Sequence, residues 1–175
     1  MIDTVKELLT NQFQGALCTL NACIVRCPDP AWNVPVGNLK FCQVAFHVLF
    51  FGDLYLGHDA KTARDQSFHR AHGDFFRDYE ELEDRPQQLL YDKPTTLAYV
   101  QHVREKAAKA IAGETQESLM KRPGFEWLKF SRAEVYVYNT RHLQHHAAQL
   151  SLRLRTDYKV EIPWIGTGWR ELNPA

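Results

Sequence analysis

The chain has 175 residues, of which 45% are hydrophobic and 24% are charged, an ordinary globular composition that excludes disordered and fibrous classes. The 21 basic and 21 acidic residues cancel, so the basic surplus typical of a nucleic-acid-binding protein is absent. No apolar run is long enough to span a membrane, and the start lacks the features of a signal peptide. We therefore expect a soluble, cytoplasmic protein that forms one domain over residues 1–175 and has neither a membrane nor a nucleic-acid partner.

Four segments have the apolar periodicity of amphipathic helices, and no segment alternates strongly as a strand does. The predicted helices run from about Asp3 to Cys27, from about Asn38 to Leu56, from after Pro94 (with Thr95 or Thr96 as cap) to before Gly113, and from Ser131 to about Arg155. Capping boxes start the first and the fourth, formed by Thr4 with Glu7 and by Ser131 with Glu134. This pattern predicts an all-α fold, a four-helix bundle.

Residues 57–93, between the second and third predicted helices, are too many for a plain loop in a small domain. Aromatic side chains are frequent between Gln66 and Leu82. We therefore expect an extra short helix or an ordered loop in this segment.

The four cysteines stand at positions 18, 23, 27 and 42. No pair has the C-x-x-C spacing of a zinc knuckle or a redox motif. Without a secretion signal, we expect them to be reduced thiols buried in the core.

Three of the eight histidines are candidates for a metal site. His142 and His146 are four residues apart on the fourth helix, so they lie one above the other on one face. His47 lies in the middle of the apolar face of the second helix. Burying an imidazole without a partner costs about 1–3 kcal/mol, so something should satisfy these rings. A divalent ion would do so if the two helices are neighbours; the alternative is that each ring is simply hydrogen-bonded or partly exposed.

The remaining polar candidates are weaker. His145 is about 100° around the helix from His146, so we expect it at the rim rather than as a ligand. Asp53, beyond His47, could orient a ligand. The histidines expected to be exposed are His58, His69 and His72 in the 57–93 segment and His102 on the third helix. The sequence contains neither the Glu-x-x-His pairs of a di-iron bundle nor the His-Glu-x-x-His motif of a zinc protease.

The sequence resembles the DinB/YfiT-like superfamily of metalloenzymes. The matching features are His47 within Val-Ala-Phe-His-Val-Leu-Phe-Phe and the late run His-x-x-His-His-x-x-Gln-Leu that begins at His142, about 95 residues apart. The resemblance covers nearly the whole chain. It implies an up-down-down-up four-helix bundle with a three-histidine metal site, commonly filled by zinc or nickel. Carried over by position, the ligands are His47, His142 and His146, and homodimers are common in the family.

Two functions are compatible with these features. The first is a metal-dependent enzyme in which the ion activates water or a low-molecular-weight thiol. The resemblance implies this chemistry, because thiol transferases and hydrolases are among the relatives. The second is a non-catalytic metal-binding, stress-related dimer. The absence of a recognisable general base near the histidines favours the second, and a three-imidazole site, which is the catalytic rather than the structural pattern, favours the first.

Overall fold

A computed structural model describes residues 1–77 and 79–171 of the chain. These residues are mostly helical, which confirms the predicted all-α class, and no helix among them is long and apolar enough to cross a membrane. The elements in chain order are α1 (Ile2–Arg26), β1 (Pro35–Val36), β2 (Leu39–Lys40), α2 (Phe41–Leu56), α3 (Ser67–Ala71), α4 (Gly73–Phe76), α5 (Lys93–Gly113), α6 (Gln116–Met120) and α7 (Arg132–Tyr158). Short 3-10 helices lie at Asp29–Ala31, Thr62–Asp65 and Glu80–Leu82.

The four long helices α1, α2, α5 and α7 form the predicted up-down-down-up bundle. α1 packs against α5 and α7, and α2 packs against the same two helices. Contacts near the helix ends show that α1 is antiparallel to α5, α2 is antiparallel to α7, and α2 is parallel to α5. These contacts are Lys6 with Ala112, Asn139 with Gly52, and Lys106 with Asp53. α2 and α7 are therefore neighbours, as a site shared between them requires.

Local hydrogen bonds set the starts of the two later long helices. Ser131 caps α7 as predicted, by accepting the backbone N–H of Glu134 at 3.3 Å, but the cap bonds of this helix do not include the return bond from the Glu134 side chain that a capping box requires. α5 is capped by Asp92, whose carboxylate accepts the N–H of Thr95 at 2.8 Å. The prediction of Thr95 or Thr96 as the cap is wrong, because the carboxylate just before the helix already satisfies one of its free N–H groups.

The start of α1 also differs from the prediction. The helix begins at Ile2, so Thr4 and Glu7 lie inside it and do not form its capping box. Val5 and Leu8, two apolar residues of the first two turns, are 37% and 57% exposed. The face of these turns that packs against the core carries Ile2 and Leu9 instead.

A hairpin shortens α2 at its start. Pro35–Val36 pairs with the antiparallel Leu39–Lys40, and Gly37 between them has a φ of 64°. This positive φ suits glycine, which has no side chain to clash. Because the hairpin uses the residues just before the helix, α2 begins at Phe41 rather than at the predicted Asn38.

The segment 57–92, called the insert below, is folded onto α2. It contains α3 and α4 where one short helix or an ordered loop was expected, and its chain turns between them at His72. Phe75 and Phe76 are buried, and their rings lie 5.3 Å and 5.9 Å from the ring of Phe46 on α2. The insert is thus held against the bundle by aromatic packing.

A buried arginine joins the C-terminal end of α2 to α7. The guanidinium of Arg132 donates to the carbonyls of Tyr55, Leu56 and Gly57 at 2.7–2.8 Å. Its Nε donates to the carboxylate of Glu114 at 2.9 Å. The last carbonyls of a helix lack partners within the helix and lie at the negative end of its dipole, so a cation stabilises them in both respects.

All four cysteines are buried and unpaired, as expected. Burial raises the pKa of Cys23 and of Cys27 to about 12. Both thiols are therefore protonated at neutral pH and serve as small core side chains.

Candidate metal centre

Three histidines from two helices form a cluster where α2 meets α7. His47 comes from α2, and His142 and His146 come from successive turns of α7. Their ring centres are 4.8–5.2 Å apart, and one nitrogen of each ring lies within 4.8 Å of the other two. The fold thus brings together the three residues that the sequence singled out.

The nitrogen spacing suits a metal ion between the rings. The Nε2 atoms of His47 and His142 are 3.3 Å apart. Two nitrogens each about 2.0–2.1 Å from a tetrahedral zinc ion would be about 3.3–3.4 Å apart. An all-imidazole set of donors is also one that zinc, nickel, copper and iron accept.

A buried carboxylate orients His47. The Nδ1 of His47 lies 2.8 Å from Oε2 of Glu81, and the Glu81 side chain is only 3% exposed. The side-chain amide of Gln87 donates to the other oxygen of Glu81. With Nδ1–H donating to the carboxylate, the Nε2 of His47 carries the lone pair, as in the carboxylate–histidine–metal arrangement common in proteins.

No pattern in the sequence assigns a role to Glu81. It lies in the insert beside a second glutamate, Glu80, and nothing in the sequence distinguishes the two. Glu80 is also buried, but it binds Arg85 at 2.9 Å and accepts the backbone N–H groups of Gln88 and Leu89. Only the fold of the insert separates the glutamate that supports the loop from the one that reaches His47.

The polar side chains of α7 between Asn139 and Gln149 are partly directed into the site. Nδ1 of His146 lies 2.8 Å from Oε1 of Gln149, and His145 is exposed and contacts the same glutamine at 3.2 Å. His145 is outside the cluster, as its position on the helix predicts. Asn139 is fully buried and donates to the carbonyl of Gly52 at 2.9 Å, so it joins α7 to α2 beside the cluster.

The environment keeps the α7 imidazoles neutral. Burial, followed by the neighbouring imidazoles of His47, His146 and His145, lowers the pKa of His142 to about 3. Burial, followed by the imidazole of His47, also lowers the pKa of His146, and the hydrogen bond to Gln149 offsets only part of this effect. The Nδ1 of His142 is buried and has no hydrogen-bond partner within the described part of the chain. Neutral imidazole is the form that binds a metal, so these rings are ready to act as ligands.

Comparison with known proteins identifies the family. The sequence model of the DinB superfamily matches residues 12–150, a range that contains all three clustered histidines. The chain belongs to the DinB superfamily. No curated protein and no solved structure matches it. The three-histidine cluster fits a metal-binding member of this superfamily, and its donors suggest a divalent ion.

A groove borders the cluster of this DinB-superfamily protein at His142. It has a volume of about 600 Å³ and runs along the outer face of α7. Its lining residues are Tyr138, Arg141, His142, Gln144, His145 and Ala148. No carboxylate is among them, and His142 belongs to both the groove and the cluster. A small molecule in the groove would therefore lie next to the candidate metal position.

Asp53 does not orient a clustered histidine. Its carboxylate is 1% exposed and accepts from Nε2 of His69 at 2.7 Å. His69 is 3% exposed, so the prediction of an exposed loop histidine is wrong for this residue: α3 turns it inward onto Asp53. His102 is also mostly buried, with Nε2 3.1 Å from Oε1 of Gln66, because the insert covers this face of α5.

Asp53, His69 and His102 are close enough together to suggest a second metal site in the DinB-superfamily fold. Their surroundings argue against one, because the ammonium group of Lys106 already lies on Asp53. Burial alone would raise the pKa of Asp53, but His102, His69 and Lys106 outweigh it and hold that pKa well below its usual range. The negative charge of Asp53 is therefore already balanced by Lys106 and by hydrogen-bond donors of the protein, without a metal ion.

Proposed function

We propose that this protein is a metal-dependent enzyme in which His47, His142 and His146 hold a divalent ion, with zinc or nickel as the expected metal. The proposal rests on the hydrogen-bond partners of the ring nitrogens that face away from the centre of the cluster. Nδ1 of His47 and Nδ1 of His146 each face a side-chain oxygen, of Glu81 and Gln149, which leaves the Nε2 lone pairs for a metal. Three protein ligands are the pattern of catalytic zinc sites, whereas structural sites have four.

Residues of the chain orient the candidate ligands, keep one of them neutral and leave space for a substrate. Glu81 holds the ring of His47 in place, burial keeps His142 neutral, and the groove beside His142 has room for a small molecule. A divalent ion in such a setting lowers the pKa of a bound water or thiol. From the family resemblance we propose a small-molecule substrate, in particular a low-molecular-weight thiol, with thiol transfer or hydrolysis as the reaction.

A non-catalytic role is the second candidate, and one observation favours it. Both oxygens of Glu81, the carboxylate nearest to the cluster, are engaged by His47 and Gln87, and the groove has no acidic lining residue. Among the described residues around the cluster and the groove, none is therefore a free carboxylate that could act as a general base. In this alternative the protein is a metal-binding, stress-related dimer.

The proposal is tested first by elemental analysis of protein purified without a histidine tag. We expect a near-stoichiometric divalent metal in the wild type and none in His47→Ala. His145→Ala is the matched control, because it removes a histidine next to His146 on α7 without removing a clustered ring. It should retain the metal.

Activity then separates the two candidates. We expect the metal-loaded wild type to turn over substrates in a screen of thiol transfer and hydrolysis, and His47→Ala to be inactive. Activity that survives in metal-free protein would rule out the mechanism. Stoichiometric metal without any turnover would favour the non-catalytic role.

A further inference from the structure

The carboxylate that orients His47 comes from outside the four-helix bundle. Glu81 lies in the 3-10 helix Glu80–Leu82 of the insert, and it must stay 2.8 Å from Nδ1 of His47 to act on that ring. A residue on a long connection is positioned only if the connection is itself anchored. The buried polar contacts between the insert and the bundle are therefore candidates for a role in the metal site.

Asp53 is the centre of the strongest of these anchors. Its buried carboxylate accepts from two side chains of the insert, His69 at 2.7 Å and Gln66 at 3.0 Å. From α5 it accepts the hydroxyl of Tyr99 at 3.0 Å and the ammonium of Lys106. One carboxylate of α2 thus ties the insert and α5 together in an interior where an unmade bond would be costly.

The anchor continues from Asp53 to the turn that carries Glu81. Nδ1 of His69 lies 2.9 Å from the hydroxyl of Tyr79. Nε2 of His69 carries a hydrogen, because the Asp53 carboxylate only accepts, and a second hydrogen bond joins Nδ1 of the same ring to the Tyr79 hydroxyl. Tyr79 is the cap residue of the 3-10 helix, and its carbonyl accepts the N–H of Leu82 at 2.8 Å.

The backbone of Tyr79 needs such an anchor. Its φ of 59° and ψ of 51° are left-handed values, which are unfavourable for a bulky residue and persist only where surrounding contacts impose them. The hydroxyl bond to His69 and the guanidinium of Arg64, 4.8 Å above the ring, are contacts of this kind. The conformation that they impose sets the direction of the following residues, including Glu81.

We propose that Asp53, His69 and Tyr79 form a positioning relay that fixes Glu81 on His47 and thereby tunes the metal centre. The inference rests on the proposed role of His47 as a metal ligand. The relay does not touch the cluster; it acts through the turn that carries Glu81.

A double-mutant cycle tests the relay. Zinc affinity is measured by competition with a chromophoric chelator for the wild type, Tyr79→Phe, Glu81→Ala and the double variant. Loss of Glu81 should weaken zinc binding about 10- to 100-fold, as for other residues that orient a ligand. Tyr79→Phe, which keeps the ring and its contacts, should weaken it at least about three-fold, the size of coupling within one hydrogen-bond network. In the Glu81→Ala background, Tyr79→Phe should have no further effect.

Tyr136→Phe is the matched control. It also removes a tyrosine hydroxyl that bonds another side chain, here the buried carboxylate of Glu114 at 2.7 Å, but in a network that does not lead to Glu81. It should lower the free energy of unfolding and leave zinc affinity unchanged. An unchanged affinity in Tyr79→Phe, or an equal loss with and without Glu81, would overturn the relay.

Failure of the proposed function has a different signature. If the wild type binds no zinc, the metal role is lost, and the relay is then tested in the metal-free protein by hydrogen exchange. Tyr79→Phe should accelerate exchange of the Leu82 amide and leave α7 unchanged. Unchanged exchange at Leu82 would overturn the relay as well.

Discussion

At the scale of single residues, Glu81 is the side chain whose charge acts most directly on the candidate site. Replacing it with glutamine keeps an oxygen that can accept from Nδ1 of His47 but removes the negative charge beside the ring. We expect Glu81→Gln to bind zinc about ten-fold more weakly than the wild type, as measured by chelator competition. Glu83→Gln, at an exposed glutamate of the same segment, should have no effect; equal losses in both variants would contradict a specific role.

His142 makes the stability of the metal-free protein depend on pH. Burial, with the neighbouring imidazoles, lowers its pKa in the folded state to about 3 from the usual 6.5. Between these values the unfolded chain binds a proton that the folded chain does not, so stability falls as the pH is lowered through this range. Each proton that only the unfolded chain binds changes the free energy of unfolding by up to about 1.4 kcal/mol per pH unit.

Urea unfolding of the metal-free protein between about pH 6.5 and the lowest pH at which it stays folded would measure this slope. His142→Phe should give a shallower slope than the wild type, because the titrating ring is gone while a ring of similar size remains. Equal slopes would mean that His142 is not buried in the neutral form. His145→Ala, at an exposed histidine, provides the control.

At the scale of elements, the long helices were predictable and the insert was not. α2 and α7 have clear apolar periodicity, which places His47 on the apolar face of its helix, and the four-residue spacing of His142 and His146 places them together on one face of theirs. Glu81 could not be found in the same way, because it lies in a segment of short helices and turns without periodicity. Its role depends on contacts between residues far apart in sequence, which a local pattern does not contain.

The same limit explains the histidines that were misjudged. His69 follows no apolar pattern, so the ordinary expectation for a loop histidine was exposure. Its burial results from its pairing with Asp53, which lies 16 residues away in the chain. Two polar residues whose partners are each other can be buried without any signal in their flanking sequences.

Arg132 is the residue on which the junction of α2 and α7 depends. Arg132→Ala would leave three helix-end carbonyls and the carboxylate of Glu114 without their cation. Breaking a buried ion pair in this way costs about 3–5 kcal/mol, and we expect a loss of this size in urea unfolding. Removing both charges, with Arg132→Met and Glu114→Leu together, should cost less than Arg132→Ala alone; a larger loss would show that the charges do more than compensate each other.

At the scale of the whole molecule, metal binding and folding should be linked. A ligand that binds only the folded state adds about 2.7 kcal/mol of stability at a free concentration 100 times its dissociation constant. For a chain of this size that corresponds to a rise in melting temperature of about 5–10 °C. We expect this rise when zinc or nickel is added to chelator-treated wild type, and in His145→Ala, but not in His47→Ala.

The distribution of the cluster along the chain has a consequence for refolding. His142 and His146 meet within a single helix, whereas His47 is 95 residues from His142. An isolated α7 can offer two nitrogens to an ion as soon as it is helical, but the third arrives only when α2 docks against it, after the closure of a long loop. Binding of the ion by the two α7 histidines should therefore precede binding by His47 during refolding. With cobalt as a coloured probe, a weak early signal from α7 would precede the full three-nitrogen spectrum, and the delay between them would report the docking of α2.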